Sequence, residues 1–335
     1  MLKDSLKMVL HRPLLGWGFG TFYVVYPSFR SFYTNLIVNA AHNDFVELAV
    51  ETGLVGFAIV AGGWFLFYFQ LIRQWRRRRD IWARGVGLGG LAALAAGAFH
   101  ALGEFPFHIP AYSLTYGAIA ALTFLTLHWR QARKGFDYPA WPPAGSRRVP
   151  WLCVILVLVQ AAYMVQAWNV WQAERAAPLG INSIRIPRTL KTADYIRALG
   201  FNPLNAEYFA GLAETLAAEG IPDLEQARKI EALLKQAIFL APARWRSHYQ
   251  LGNFLLEHYR LDPRRQLPRG LKELAAAAAL FPEKAETQLR LGLALTWTEL
   301  FYPAYVPPDL AKRGQEYLDR AGALEPAFKK FISPK

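Results

Sequence analysis

The chain has 335 residues, of which 53% are hydrophobic and 11 are tryptophan, which is enough for two domains. A net charge of +13 would suit a nucleic-acid-binding protein. The densest basic clusters, however, stand beside apolar segments, where they act as membrane-topology signals. We therefore expect no nucleic-acid partner. A single cysteine excludes an intramolecular disulfide bond.

The first stretch of the chain combines helical apolar spacing over residues 2–10 with a proline, Pro13, that ends the helix. The glycine-rich segment 16–20 that follows looks at first like a dinucleotide-binding fingerprint. Its glycine spacing is wrong, and no acidic residue follows about 20 positions later. We expect instead a flexible aromatic loop at the membrane surface, with Trp17, Phe19, Phe22, Tyr23 and Tyr26 at the interface.

Residues 41–57, Ala-His-Asn-Asp-Phe-Val-Glu-Leu-Ala-Val-Glu-Thr-Gly-Leu-Val-Gly-Phe, carry the candidate chemistry. They place His42 ahead of a short predicted helix, 45–52, which Asn43 or Asp44 would cap and Gly53 would close. A helix N-terminus attracts anions and favours a neutral imidazole that can accept a proton. The residues alone equally allow His42 to be an exposed capping-region residue, and Arg30 to be a lipid-headgroup contact.

Four apolar segments are predicted to span a membrane: 53–72, 85–103, 109–127 and 149–168. Arginine-rich loops follow the first and third of them, so the positive-inside rule places both loops in the cytoplasm. His42 and the whole of the chain after residue 168 would then lie on the outer side. We expect His100 and Glu104 to lie at the outer membrane boundary rather than to line a cavity. One such carboxylate in four spans also makes a channel or transporter subunit an unfavourable interpretation.

Beyond residue 200 the chain has an internal repeat. Prolines 203, 242, 282 and 326 follow one another at similar intervals, and Leu251-Gly252 and Leu291-Gly292 occupy equivalent positions after two of them. A second helix is predicted in each unit, over 226–240, 269–280 and 311–324, with extra residues between helices at 220–223 and 261–268. Two helices per unit with a small residue at their crossing indicate a tetratricopeptide-like solenoid; an irregular helical bundle is the alternative.

Four segments together resemble the O-antigen ligase / O-antigen polymerase family, whose members include protein O-oligosaccharyltransferases. They are Arg-Pro-Leu-Leu-Gly-Trp-Gly-Phe-Gly-Thr-Phe (12–22), the tyrosine-rich loop with Arg30, residues 41–57, and His-Ala-Leu-Gly-Glu-Phe-Pro-Phe-His-Ile-Pro (100–110). The resemblance covers residues 1–130. It implies a multi-span enzyme of the bacterial inner membrane that needs no metal or cofactor. Such an enzyme moves glycan from an undecaprenyl-diphosphate carrier to an acceptor on the periplasmic side.

The same resemblance assigns roles to residues. His42 matches the family's outer-loop histidine, the proposed base for the acceptor hydroxyl, and Arg30 would hold the carrier diphosphate through its guanidinium fork. Asn43 and Glu47, in the same element, would be further substrate-binding residues. Family members usually have many more spans before this point. We therefore expect this chain to be the C-terminal portion of such an enzyme, incomplete and inactive alone.

The predicted fold class is all-α: a membrane helical bundle of about four spans followed by a soluble tetratricopeptide-like repeat domain. The expected domains are an outer loop (1–52), a transmembrane region (53–168) and periplasmic repeats (169–335). The predicted partners are the carrier-linked glycan, membrane lipid and a protein bound by the repeats. The second functional interpretation is a non-catalytic, membrane-anchored scaffold whose repeats, expressed alone, would capture an envelope protein.

Overall fold

The computed structural model describes residues 1–34, 38–128, 148–177, 188–218, 220 and 224–332. Its backbone contacts divide the chain into two compact units, Met1–Pro139 and Ala140–Lys335. Every regular element among the described residues is a helix, and none of these residues is in a β-strand. The predicted all-α fold, with membrane helices followed by a helical repeat region, is confirmed.

The first unit contains three long apolar helices and a smaller N-terminal part. Each of the long helices, Asp44–Arg77, Ile81–His100 and Pro110–His128, is long and apolar enough to cross a membrane. They correspond to the first three predicted spans. The shorter elements of this unit are the helices Leu2–His11 and Phe22–Val25 and the single 3₁₀ turns Tyr26–Ser28 and Pro106–His108.

Small residues bring the second and third apolar helices into close contact. A Cβ atom on Gly87 would lie 2.4 Å from Leu127, and one on Gly90 would lie 2.0 Å from Thr123. Gly97 packs in the same way against the ring of Tyr116. The glycines therefore permit an approach that a larger residue would block, as expected from the small-residue composition of this span.

A helix, Arg148–Ala176, covers the fourth predicted span and falls in the second unit. Its Val157, Leu158 and Val159 side chains are all exposed. That this helix crosses a membrane remains a prediction. Most of the basic loop that was expected to precede it lies outside the described residues.

The second unit continues as a series of paired helices. Their bounds are Arg188–Phe201, Ala206–Ala218, Leu224–Leu240, Trp245–Glu257, Pro263–Leu280, Ala285–Phe301, Gly314–Leu324 and Lys329–Ile332, with 3₁₀ turns at Tyr259–Leu261, Pro303–Tyr305 and Pro326–Phe328. The helices predicted over 226–240 and 311–324 are found within three residues of their expected starts.

The helix predicted over 269–280 was placed too short. It begins at Pro263, because the Asp262 side chain caps it by accepting from the Arg265 backbone N–H at 3.2 Å. Proline is well suited to the first helical position, where its missing N–H is not needed. Residues 263–268 therefore belong to the helix rather than to a linker, and Pro268 is accommodated inside it.

Glycines mark the points where the two helices of a repeat unit cross. A Cβ on Gly252 would lie 3.0 Å from the Gly270 carbonyl oxygen and 2.8 Å from Leu274. Gly292 and Gly314 face each other in the same way in the next unit, where the corresponding distance to the Gly314 carbonyl oxygen is 3.0 Å. The predicted small residue at the crossing is thus present in successive units.

Candidate functional site

The site is organised around a break in the first apolar helix at Gly53. This residue has φ 68° and ψ −177°, a conformation that glycine adopts without the strain a side chain would impose. The chain therefore forms a short helix over residues 44–52 and then a separate apolar helix, as the sequence predicted. The backbone groups freed at the break bind the preceding loop: Leu54 N donates to the Pro13 carbonyl oxygen at 2.7 Å, and Trp17 N to that of Val50 at 3.0 Å.

The glycine-rich loop is consequently part of a packed contact and not the flexible surface loop that was expected. Gly16 is buried, and a Cβ on it would lie 2.5 Å from the backbone of Glu51. Phe22 and Tyr26 are also buried, at 1% exposure each, whereas Phe19 is exposed. The interfacial role predicted for this aromatic set is therefore wrong for Phe22 and Tyr26.

Two segments distant in sequence meet at the start of the first apolar helix. The backbone N–H of Asp44 donates to the Ala101 carbonyl oxygen at 3.0 Å. This contact joins residues 41–47 to residues 101–108 and assembles five ionisable side chains. We call these the histidine cluster: His42, Asp44, Glu47, Glu104 and His108.

His42 and Glu104 form an exposed pair at the edge of the cluster. The backbone of His42 has φ 52°, which is unusual for a residue other than glycine and which directs the side chain out of the helix start. Nδ1 lies 3.2 Å from Glu104 Oε2, and the Phe105 ring packs edge-on at 4.8 Å. Both side chains of the pair remain about half exposed, at 51% and 55%. If Nδ1–H donates to the carboxylate, Nε2 is left as a proton acceptor.

His108 is held in the opposite way, through both ring nitrogens. Nδ1 lies 2.8 Å from Asp44 Oδ1, and Nε2 lies 3.1 Å from Glu47 Oε1. The remaining oxygens of these carboxylates accept from backbone: Asp44 from Phe107 N at 3.0 Å, and Glu47 from Ala41 N at 2.7 Å. Because a carboxylate lies against each of its ring nitrogens, His108 links the two segments and has a structural role.

The two other residues predicted near His42 both contribute to holding the cluster. Asn43 caps the short helix by accepting from Val46 N at 3.0 Å, and its Nδ2 donates to the Leu102 carbonyl oxygen at 2.7 Å. Glu47 is 4% exposed and bound to His108 and the Ala41 backbone. These contacts give both residues a positioning function; their contact with a substrate remains a prediction.

Arg30 lies in the N-terminal part of the unit. The residue is 6% exposed, and its guanidinium donates to the Thr34 carbonyl oxygen at 3.3 Å and lies 5.7 Å from the Phe32 ring. Beside it, burial and the Asp4 carboxylate raise the pKa of Tyr26 to about 12, against the opposing effect of the Arg30 charge. Tyr26 is therefore a neutral phenol at physiological pH. The predicted diphosphate contact of Arg30 remains a prediction.

Reasoning from sequence missed the parts that Glu104 and His108 play. Both fall in the segment 100–110 that carried the family resemblance, but Glu104 was expected only to lie at the membrane boundary. They are 62 and 64 residues away from the side chains they contact, His42 and Asp44. No local spacing signals such a pairing. In the described part of the chain, no group of three or more His, Cys, Asp and Glu side chains could hold a metal ion.

Residues 1–61 match the family model described as O-Antigen ligase. The resemblance stated from the sequence is thereby confirmed for the segment that contains His42 and the break at Gly53. No curated protein matches the chain. The membrane-embedded character given by the three apolar helices is consistent with this family, so we describe the chain as a multi-pass membrane protein.

Two solved structures resemble part of the chain. The crystal structure of YrrB, a TPR protein with an unusual peptide-binding site, is 20% identical, covers 42% of this chain and 61% of its own, and has a TM-score of 0.31. A mutant of the Thermobaculum terrenum O-GlcNAc transferase is 22% identical, covers 48% of this chain and 26% of its own, and has a TM-score of 0.34. The chain thus spans less than two thirds of either.

Proposed function

We propose that this chain is the C-terminal portion of a membrane glycosyltransferase of the O-antigen ligase or polymerase type. The observation that carries the proposal is the pairing of Glu104 with His42, which itself lies in the segment 1–61 that matches the O-antigen ligase family. Within the cluster, Asp44, Glu47 and His108 are occupied by contacts that join the two segments. Of its two histidines, His42 is the one with a ring nitrogen that has no partner among the described residues. That arrangement is suited to a general base.

In the proposed reaction, His42 Nε2 removes the proton of an acceptor hydroxyl. The oxygen attacks the anomeric carbon of the carrier-linked glycan, and the bond from that carbon to the diphosphate oxygen breaks. Undecaprenyl diphosphate leaves with the electron pair, while the proton remains on the imidazole. Glu104 keeps Nδ1 protonated and stabilises the imidazolium that forms, as the buried carboxylate does in a Ser-His-Asp triad.

No cofactor is proposed, because the diphosphate of the carrier is itself the leaving group. Diphosphate recognition by Arg30 would require its guanidinium to leave the Thr34 carbonyl oxygen. A guanidinium can exchange one carbonyl for two phosphate oxygens at a gain in charge-assisted hydrogen bonding. In this proposal Asn43 and Glu47 position the backbone around His42, and any direct substrate contact by them is secondary.

The proposed location is the bacterial inner membrane, with the histidine cluster and the repeats on the periplasmic side. The first apolar helix ends at Arg77, within the basic run of residues 76–79, which the positive-inside rule assigns to the cytoplasm. His42 lies before the opposite end of that helix. Carrier-linked glycan, lipid and a protein recruited by the repeats are the proposed partners; lipid A core, polysaccharide and protein hydroxyls are the acceptors that this chemistry allows.

The test is transfer by a His42→Ala variant expressed in the source bacterium in its complete genomic context. We expect loss of glycan transfer, of about 10²- to 10⁴-fold for removal of a general base, with protein level unchanged. His128→Ala is the matched control, because His128 is half-buried at the other end of the apolar helices, where it stacks on Phe124 and contacts its carbonyl oxygen at 2.8 Å. Transfer retained by the His42 variant would contradict the proposal.

A non-catalytic scaffold is the second candidate. It is favoured by the repeat units, whose helix crossings and packed apolar cores form a series that extends through most of the second unit. In that case the His42 substitution would leave the biological output unchanged. Removal of the repeats would abolish it, and the partner captured by the repeats would be an envelope protein.

A further inference from the structure

The N-terminal helix Leu2–His11 packs against the protein with one face and leaves the other face exposed. Met8, Ser5, Asp4 and Val9 are buried, between 0% and 9% exposed. The opposite side and the loop that follows expose five leucines at 49–77%, which we call the leucine face: Leu2, Leu6, Leu10, Leu14 and Leu15. A contiguous patch of this kind on a folded unit marks a surface that meets another phase or molecule.

The helix is fixed in this orientation by polar contacts on its buried side. Asp4 Oδ2 accepts from Ser31 N at 3.3 Å and from Ser31 Oγ at 3.1 Å. Trp17 Nε1 donates to the Met8 carbonyl oxygen at 2.9 Å. The helix cannot rotate to bury its leucines without breaking these bonds, so their exposure is built into the unit.

The leucine face adjoins the beginning of the first apolar helix. The Leu14 carbonyl oxygen accepts from Val55 N at 3.3 Å, immediately after the break at Gly53. There the apolar helix starts its own exposed surface, with Leu54 and Ile59 at 52% and 70%. An apolar surface that continues from a membrane span onto a neighbouring helix is expected to meet the same lipid.

Two lysines border the leucine face. Lys3 and Lys7 follow Leu2 and Leu6 by one residue, which places each of them about 100° further round the helix at 3.6 residues per turn. Both are exposed. Leucines flanked by lysines are typical of helices that lie in the membrane interface, where the lysine stem follows the apolar layer and its ammonium reaches the headgroups.

We propose that the leucine face lies in the interfacial layer of the bilayer, in contact with lipid acyl chains, and fixes the depth of the N-terminal part of the unit. The occupant is lipid rather than a second copy of the chain, because the face continues the apolar surface of a membrane helix and carries a basic edge suited to anionic headgroups. The proposal does not depend on transferase activity.

The test uses the full chain in nanodiscs of phosphatidylcholine and phosphatidylglycerol. Cys153 is first replaced by serine, since it is the one cysteine of the sequence, and Leu10→Cys is labelled with an environment-sensitive fluorophore. Leu204→Cys is the matched control, because Leu204 on the repeats is exposed to a similar degree, 75% against 77%. Quenching is measured with aqueous iodide and with lipids that carry a spin label near the headgroup.

We expect the label at position 10 to be quenched at least severalfold more by the spin-labelled lipid than by iodide, with blue-shifted emission. The label at position 204 should show the reverse. Iodide quenching at position 10 equal to that at position 204 would overturn the proposal. Protection of position 10 from both quenchers would also overturn it, because the face would then be covered by protein, either a second copy or another segment.

Discussion

The histidine cluster and the repeat units are held together by different means. In the repeats the same contact recurs: glycines meet at two successive helix crossings, and ion pairs such as Glu231 with Arg269 and Glu283 with Arg320 link side chains 38 and 37 residues apart. In the cluster each contact occurs once and joins segments about 60 residues apart. Because the repeat contact recurs, equivalent contacts share the stabilisation of the unit. In the cluster, single polar contacts fix the positions of particular side chains.

The two regions also differ in how they use glycine. At the helix crossings of the repeats, Gly252 and Gly292 lie inside helices and allow the close approach of the neighbouring helix. At the break before the first span, Gly53 has a positive φ and a Cβ would lie 2.3 Å from the Leu14 carbonyl oxygen. A glycine at a helix crossing can therefore be replaced with a loss of packing. Gly53 is required by the conformation of the backbone itself.

The largest effect is expected from Gly53→Val. A β-branched residue at positive φ costs about 1–3 kcal/mol in backbone strain, and the clash with Leu14 adds about 1–3 kcal/mol of overpacking. We expect loss of a folded first unit, measured as the level and thermal stability of detergent-solubilised protein. Gly62→Val on the same helix is the control, because no atom lies within 4 Å of its Cβ position. Equal tolerance of the two changes would contradict the account.

An intermediate effect is expected at a helix crossing in the repeats. Gly292→Ala would place a Cβ 2.7 Å from Leu318 and 3.0 Å from the Gly314 carbonyl oxygen, which should cost about 1–3 kcal/mol. Gly200→Ala meets nothing within 4 Å and lies inside a helix, so it should stabilise by about 0.5–1 kcal/mol. Denaturation of the full chain, followed by circular dichroism, gives the change in the free energy of unfolding for each variant. Changes of the same sign would contradict the conclusion that Gly292 lies at a helix crossing.

The smallest effect is a pH dependence of stability in the repeats, centred on His248. Burial opposes protonation of His248, but hydrogen bonds to Glu273 at 2.7 Å and to the Pro242 carbonyl oxygen at 3.0 Å outweigh it and raise the pKa of His248. The stabilisation is therefore fully present below the unfolded-state pKa of about 6.5. It is lost as the pH rises through the higher folded-state value.

His248→Gln removes the ionisation and should flatten this dependence. The measurement is the thermal midpoint of the repeat transition between pH 5.5 and 8.5, compared with the parent chain and with His258→Gln. His258 contacts the Phe254 carbonyl oxygen and has no carboxylate partner among the described residues. A pH dependence that persists in the His248 variant would assign it to another group.

The repeats were predicted well from the sequence because the same local pattern of prolines and small residues recurs in several units. The sequence also predicted the helix end at Gly53, since a glycine between an amphipathic and an apolar segment indicates a positive φ. It did not predict that residues 13–18 fill the break. The freed backbone groups could have bonded to water, and only the structure shows that the Val50 carbonyl oxygen and Leu54 N find partners in the chain.

The site was predicted in part. His42 was identified from its place in a motif, but Glu104, which orients it, is 62 residues distant. The position of Glu104 beside His42 depends on the packing of the apolar helices, which brings residues 101–108 to the start of the first of them. Substrate binding by Asn43 and Glu47 stays a prediction. The structure shows that Asn43 donates to the Leu102 carbonyl oxygen and that Glu47 accepts from the Ala41 backbone N–H.

The most direct test of the central claim is a double-mutant comparison of His42→Ala and Glu104→Gln, measured as the rate of glycan transfer from an undecaprenyl-diphosphate-linked donor in the complete protein. If Glu104 acts through His42, Glu104→Gln alone should slow transfer about tenfold or more, which is a part of the effect of about 10²- to 10⁴-fold that a general base supplies. In the His42→Ala background it should have no further effect. Independent, multiplicative losses, or full activity of either single variant, would contradict the account.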